Sequence, residues 1–199
     1  METLDEIWAA AEAVLGALPR VAVLGTVGDG PEMRVVMLRE ARGEARGAWQ
    51  PPEPPAPGGR LPPGSPRGFF GSKDGGALEA VVHTDAATAK VAELKADPRA
   101  ALLIWDEAAA LQLRLTGRAR VETGASAADW AAARQENYGK QPAPGMVIAE
   151  GGAWELRPAP EAFATVTLDV AALEVLHLGA AHRRARFEAP GWGGAWLVP

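Results

Sequence analysis

The chain contains no cysteine. That absence excludes disulfides, thiolate metal sites and cysteine nucleophiles, and it fits a reducing compartment. Histidine is scarce: His83, His177 and His182 are too scattered to read as a metal cluster. Positive charge is not in surplus either. A net charge of −5 argues against a general nucleic-acid binder. No apolar run approaches the ~20 residues that cross a bilayer. The acidic, amphipathic N-terminus lacks the basic start and apolar core of a signal peptide. Together these absences predict a soluble cytoplasmic protein with no nucleic-acid partner, no membrane contact and no metal. The glycine-rich dinucleotide and P-loop signatures, the zinc-protease His-Glu-x-x-His and the hydrolase Gly-x-Ser-x-Gly elbow are also missing.

What is present is ordinary globular material: 199 residues, 48% hydrophobic and 23% charged. This suits a single domain with a substantial core. Thr3 and Glu6 have capping-box spacing, and apolar residues recur at helical spacing after them, so residues 4–17 predict an amphipathic helix closed by Pro19. Val21–Val27 and Met33–Arg39 flank the turn Gly28–Pro31 and predict a hairpin. In its second strand, Val35 and Met37 face one way and Arg34, Val36 and Leu38 the other.

Residues 41–76 break the pattern. Eight of the chain's prolines fall between Pro51 and Pro66. The segment predicts a long mobile loop inserted between two strands, open to a role as a PxxP-type ligand or as a lid.

Leu78–Asp85 predicts the next strand. Residues 87–96 follow as a helix with Val91 and Leu94 inward, stopped at Asp97-Pro98. Ala100–Trp105 is apolar on both faces and reads as a central strand. Leu111–Glu122 alternates cleanly, with Leu111, Leu113, Leu115, Gly117, Ala119 and Val121 on a core face. A second helix is expected over Ser126–Tyr138, then a loop over Gly139–Gly152. Strands at Phe163–Val170, Leu173–Leu178, Arg183–Glu188 and Ala195–Val198 complete the chain. Short strands with few helices predict a mainly β (α+β) fold: an antiparallel barrel with peripheral helices.

Several polar residues stand where ligands bind. Arg34 and Arg39 bracket an apolar strand, as exposed ends or as phosphate contacts. His83 and Thr84 end a strand just before a helix. Lys90 lies in the first turns of that helix, where a cation is unfavourable without an anion nearby. Gln112 lies on the polar side of its strand. Trp130, Arg134 and Tyr138 fall on one expected helical stripe, readable as aromatic packing around an arginine stem. Arg183, Arg184 and Arg186 form a small basic cluster, either a solvated face or an anion site.

In combination these residues resemble the pyridoxamine 5′-phosphate oxidase family of FMN-binding split barrels. The resemblance spans nearly the whole chain outside the 41–76 insertion. Arg34-Val-Val-Met-Leu-Arg39 is similar to the family's Arg, three hydrophobics, Leu, Lys. His83-Thr84-Asp-Ala-Ala-Thr88-Ala89-Lys90 keeps the spacing of its Tyr-Thr-x-x-x-Ser-Arg-Lys. The Asp97-Pro98 stop, Trp105 at a strand end and Gln112 opening the next strand follow in the same order.

The resemblance implies one FMN-binding split-barrel domain over 1–199 and a homodimer with FMN between subunits. Arg34, Thr88 and Lys90 would hold the FMN phosphate. Val35, Val36, Met37, Leu38 and Arg39 would line the cofactor, and His83, Thr84 and Gln112 would add polar contacts, Gln112 across the interface. Arg39, Trp130, Arg134, Tyr138, Arg183 and Arg184 would meet a small-molecule substrate. The implied activity is FMN-dependent oxidation, with the flavin taking a hydride and no side chain acting as acid or base. A flavin-binding carrier, sensor or redox partner is the alternative, and haem or deazaflavin on the same barrel is a third. The departures are Ala89 for the motif arginine, Trp130 and Tyr138 at the ends of the substrate-phosphate motif, Leu176 for a tryptophan, and no clear substrate-contacting His in the His182–Phe187 stretch.

Overall fold

The computed structural model describes residues 1–43 and 77–199. The chain opens with α1, Leu4–Gly16, whose capping box is formed by the Thr3 and Glu6 side chains as their spacing predicts. Its stripe of Ile7, Trp8, Ala11, Val14 and Leu15 is buried, and Trp8 meets Phe187 edge-on at 4.9 Å between ring centroids.

The hairpin follows as β1, Arg20–Val27, and β2, Pro31–Gly43. β2 runs further than its apolar pattern suggests. Past a bulge at Arg39 it pairs with β3, Leu78–Asp85, from Glu40↔Val81 to Gly43↔Leu78. Residues 41–43 therefore belong to a strand and not to the insertion. Ala-Arg-Gly carries no strand pattern of its own, and the backbone ladder to β3 supplies the order. The expected loop over 44–76, with its PxxP and lid roles, lies outside the described residues.

Helix α2 is Ala89–Ala96, with Val91 and Leu94 buried as predicted. It starts two residues later than expected because Asp85 folds the chain first. The Asp85 carboxylate accepts from Ala87 N at 2.9 Å, and its carbonyl accepts from Thr88 N at 3.2 Å. Strands β4, Arg99–Asp106, and β5, Leu111–Thr123, come next. β4 is central in the sheet, but only Ala100, Leu102 and Ile104 reach the core. Its other apolar face lies open, with Trp105 49% exposed.

The expected helix over 126–138 is shorter. α3 covers only Ala127–Ala132, Ala133 is extended, and a 3-10 turn follows at Gln135–Asn137. Local propensity favours a continuous helix here, but tertiary contacts override it. Tyr138 is buried against Phe163, and Gly139 has a positive φ. A Cβ on Gly139 would stand 2.1 Å from the Arg157 carbonyl oxygen, so the chain must leave the helix to make this approach. Two-residue strands β6, Lys140–Gln141, and β7, Glu155–Leu156, pair within the following loop.

The two strands expected between 163 and 178 are one, β8, Phe163–His177. A register shift against β5 at Thr116/Gly117 lets β8 bend without breaking. Gly117 is required there, because a Cβ would meet the Asp169 carbonyl oxygen at 1.9 Å. β9, Arg183–Glu188, and β10, Gly193–Leu197, finish the chain. The sheet order is β10-β9-β8-β3-β2-β1-β4-β5, and β5 pairs again with β8. Six antiparallel strands thus close a barrel, with β9 and β10 extending from it. This is the split-barrel architecture expected from the sequence. The barrel interior holds Leu24, Leu38, Val82, Ile104, Leu113 and Leu168, and α1 packs against the same core.

Candidate functional site: a cationic cradle and an adjoining cleft

Two neighbouring places collect the expected site residues, and β3 feeds both. Successive strand residues point to opposite faces, so Thr84 turns to one place and His83 to the other.

The first is a cradle where β1, β2 and β3 meet the start of α2. Lys90 Nζ donates to Thr84 Oγ1 at 3.0 Å. The hydroxyls of Thr84 and Thr88 lie 3.4 Å apart, and Thr88 Oγ1 donates to the Asp85 carbonyl at 2.8 Å. Arg34 reaches in from β2. Its Nη1 donates to Thr26 Oγ1, and its Nη2 donates to Glu93 Oε1 at 3.0 Å. Glu32 stands 3.7 Å from the same nitrogen on the solvent side, where water screens it. Burial holds the Lys90 ammonium below the usual amine range, and the Arg34 guanidinium pushes it the same way, against Glu93 and Asp85. Two cations therefore share one partly enclosed place. The Asp85 carboxylate is occupied, accepting from Ala87 N at 2.9 Å and Gly139 N at 2.7 Å. Paired cations with two hydroxyls beside a helix start fit a phosphate group.

The second place is a cleft of about 700 Å³ on the outer face of β2, β3, β8 and β5, flanked by α3. Arg39, His83, Glu122, Arg134, Tyr138 and Thr165 are among its walls. The His83 ring lies 4.9 Å from Phe163, and Phe163 meets Tyr138 at 4.9 Å. Burial, then the Arg39 charge, holds the His83 imidazole below its ordinary pKa, so it is neutral at pH 7. Burial pushes the Tyr138 phenol up. Arg39 Nε is buried with no hydrogen-bond partner among the described residues. Arg120, by contrast, is committed to Asp169 and Glu79.

The other expected residues divide. Val36 and Leu38 are buried in the barrel core, so their side chains do not line a ligand site and only their backbone remains for that role. Val35 and Met37 are exposed on the outer face. Trp130 does not line the cleft. It backs Tyr138 at 6.3 Å, and the break after Ala132 means that Trp130, Arg134 and Tyr138 do not form one helical stripe. Gln112 lies on the open outer face between Trp105 and Leu176. Arg184 is engaged with Glu174 at 2.7 Å, as is Arg114, and Arg183 reaches Glu2 at 3.4 Å. Within one chain, neither Gln112 nor these arginines join the cleft or the cradle.

Two residues of the cradle escape sequence reasoning, Thr26 and Glu93. Their signals are faint: a hydroxyl at the inward parity of an apolar strand after Ala22 and Leu24, and a carboxylate one turn beyond Lys90. Among the described residues no group of His, Asp or Glu side chains is placed to hold a metal ion, and no helix is long and apolar enough to cross a membrane.

The pattern of the pyridoxamine 5′-phosphate oxidase family matches residues 56–176, more than half of the chain, and the protein belongs to that family. The matched span contains His83 to Lys90, Gln112 and Arg134, whereas Arg34, Arg39 and the basic cluster lie outside it. The fold is shared with a pyridoxamine 5′-phosphate oxidase-related, FMN binding protein of Nostoc punctiforme PCC 73102, at 20% identity, TM-score 0.63 and full coverage of both chains. It is shared also with PhzG of Burkholderia lata 383, solved with tetrahydrophenazine-1-carboxylic acid, at 18% identity and TM-score 0.58 over 98% of this chain and 91% of that one. No curated protein matches the sequence.

Proposed function

We propose that this protein is an FMN-dependent oxidoreductase acting on a small anionic molecule as a homodimer. The observation that carries the reading is the cradle, where Arg34 and Lys90 converge with Thr84 and Thr88 at the start of α2. These four side chains would hold the FMN phosphate. Family membership and the FMN binding named for the Nostoc protein support the same cofactor. When bound, FMN supplies the redox chemistry as a hydride acceptor.

The chain's own residues bind and orient. Arg39, whose Nε has no partner among the described residues, and Arg134 would draw the anionic group of the substrate into the cleft. Neutral His83 adds a polar contact without a further charge.

The second copy is argued from the open outer face. Met33 is 73% exposed, Val35 69% and Val21 58%, and β1, β2 and β4 place them in one apolar sheet face with Leu103 and Trp105. Burying that face against its own copy removes it from water and would bring Gln112 to an interface between subunits. Purified protein tests this reading. It should be yellow or quench added FMN, and it should sediment as a dimer that Val35→Glu with Trp105→Glu splits. Colourless protein that leaves FMN fluorescence untouched would end the flavin reading. Bleaching of the flavin by an anionic donor under anaerobic conditions separates an enzyme from a carrier.

A further inference from the structure

Behind Arg34 lies a polar pair that the flavin reading leaves without a role. Thr26, on β1, is 5% exposed, and the Glu93 side chain, on α2, is 13% exposed. Thr26 Oγ1 accepts from Arg34 Nη1 and donates to Glu93 Oε2. Arg34 Nη2 lies 3.0 Å from Glu93 Oε1 and 2.9 Å from Oε2. Two elements distant in sequence therefore grip one guanidinium. An arginine carries five N–H donors, and this grip leaves several of them for a ligand. A side chain already held in one rotamer loses less entropy when a ligand engages it. Glu93 has a second effect, because its negative charge stands within the pair of cations and offsets part of their pull on an anion.

We propose that Thr26 and Glu93 form a seat that presents Arg34 to a phosphate and limits its charge, so that these two positioning residues set how strongly the chain prefers a phosphorylated flavin over the unphosphorylated one. The proposal rests on the flavin reading above. Thr26 contributes orientation alone, since its hydroxyl is neutral. Glu93 contributes both orientation and attenuation, and its amide counterpart separates the two, keeping an acceptor while dropping the charge.

The test measures dissociation constants for FMN and riboflavin by fluorescence quenching, at two salt concentrations. Thr26→Val, nearly isosteric, should lower the FMN-over-riboflavin preference about fivefold to tenfold, the scale of one ordinary hydrogen bond, and Thr26→Ser should restore it. Glu93→Gln should raise that preference severalfold and steepen its salt dependence. Riboflavin affinity should hold within about twofold in all three, the scale of an unperturbed site. An unchanged ratio in Thr26→Val, or a lower one in Glu93→Gln, overturns the seat. Inorganic phosphate supplies an arm independent of the flavin, read as thermal stabilisation. Wild-type protein that ignores both flavins but is protected by phosphate, with protection lost in Thr26→Val, sinks the flavin reading and keeps the seat. Equal protection of wild type and Thr26→Val, or protection of neither, sinks the seat.

Discussion

At the cradle, Arg34 and Lys90 already have partners inside the chain, Glu93 with Thr26 for one and Thr84 for the other. In the cleft, Arg39 keeps a buried Nε with no partner among the described residues, and His83 is held neutral beside it. The contrast separates two tasks. A pre-arranged pair of cations suits one constant ligand group, because its geometry is settled before binding. An unsatisfied donor in a wide cleft loses more when empty and discriminates more when filled. Under the proposed function the cradle would take the cofactor and the cleft the substrate. Asp85 joins them: its carboxylate binds the turn into α2 on one side and Gly139, next to Tyr138 of the cleft, on the other.

Breaking that link should have the largest effect. Asp85→Ala leaves the Ala87, Gly139 and Lys140 amides without their carboxylate. It should cost about 2–4 kcal/mol of stability, the scale of several charge-assisted hydrogen bonds, read as a lowered denaturant midpoint, with both ligands weakened together. If only one site suffers, the two are not coupled through Asp85.

Arg34→Ala acts on the cradle alone and should weaken FMN by about 1.5–3 kcal/mol, as for a hydrogen bond to a charged group. A dissociation constant that stays put in a fluorescence titration contradicts the phosphate role. Arg39→Ala is the mirror test. It should raise the KM of an anionic electron donor about tenfold, roughly 1.4 kcal/mol, while changing FMN affinity less. Equal effects on both would merge the two sites into one.

The smallest effect is a pH dependence. Burial lowers the folded-state pKa of His83 below its ordinary value of 6.5. The unfolded chain then binds the proton more readily, so stability should fall as pH drops from about 7 through 6.5 and level off below the folded pKa. His83→Gln should flatten that slope in thermal melts. A slope that persists unchanged in the variant assigns it to other groups.

Much of this was legible along the chain. The capping box of Thr3 and Glu6, the inward Val91 and Leu94, and the alternation of Leu111–Leu115 rest on neighbours a few residues apart, and the structure keeps them all. The family resemblance implies that Arg34 and Lys90 serve one ligand group, and in the fold Arg34 reaches Glu93, one turn beyond Lys90 on α2. The rest rests on contacts between distant segments. The break after Ala132 depends on Gly139 approaching Arg157. The union of 163–177 into one strand depends on Gly117 lying against Asp169. Arg184, readable from the sequence as part of a solvated face or of an anion site, is held by Glu174. Thr26 and Glu93, far apart in sequence, had no periodic pattern to mark them as partners.

By itself, then, the sequence determined the order of the elements from α1 to β5 and the family to which they belong, because hydrophobic period, caps and motif spacing act over short stretches of chain. Only the tertiary structure decided which charges meet, which apolar face stays open and which arginine is seated by Thr26 and Glu93. Those outcomes depend on how a closed barrel brings remote residues within hydrogen-bond reach, and no local pattern carries that distance.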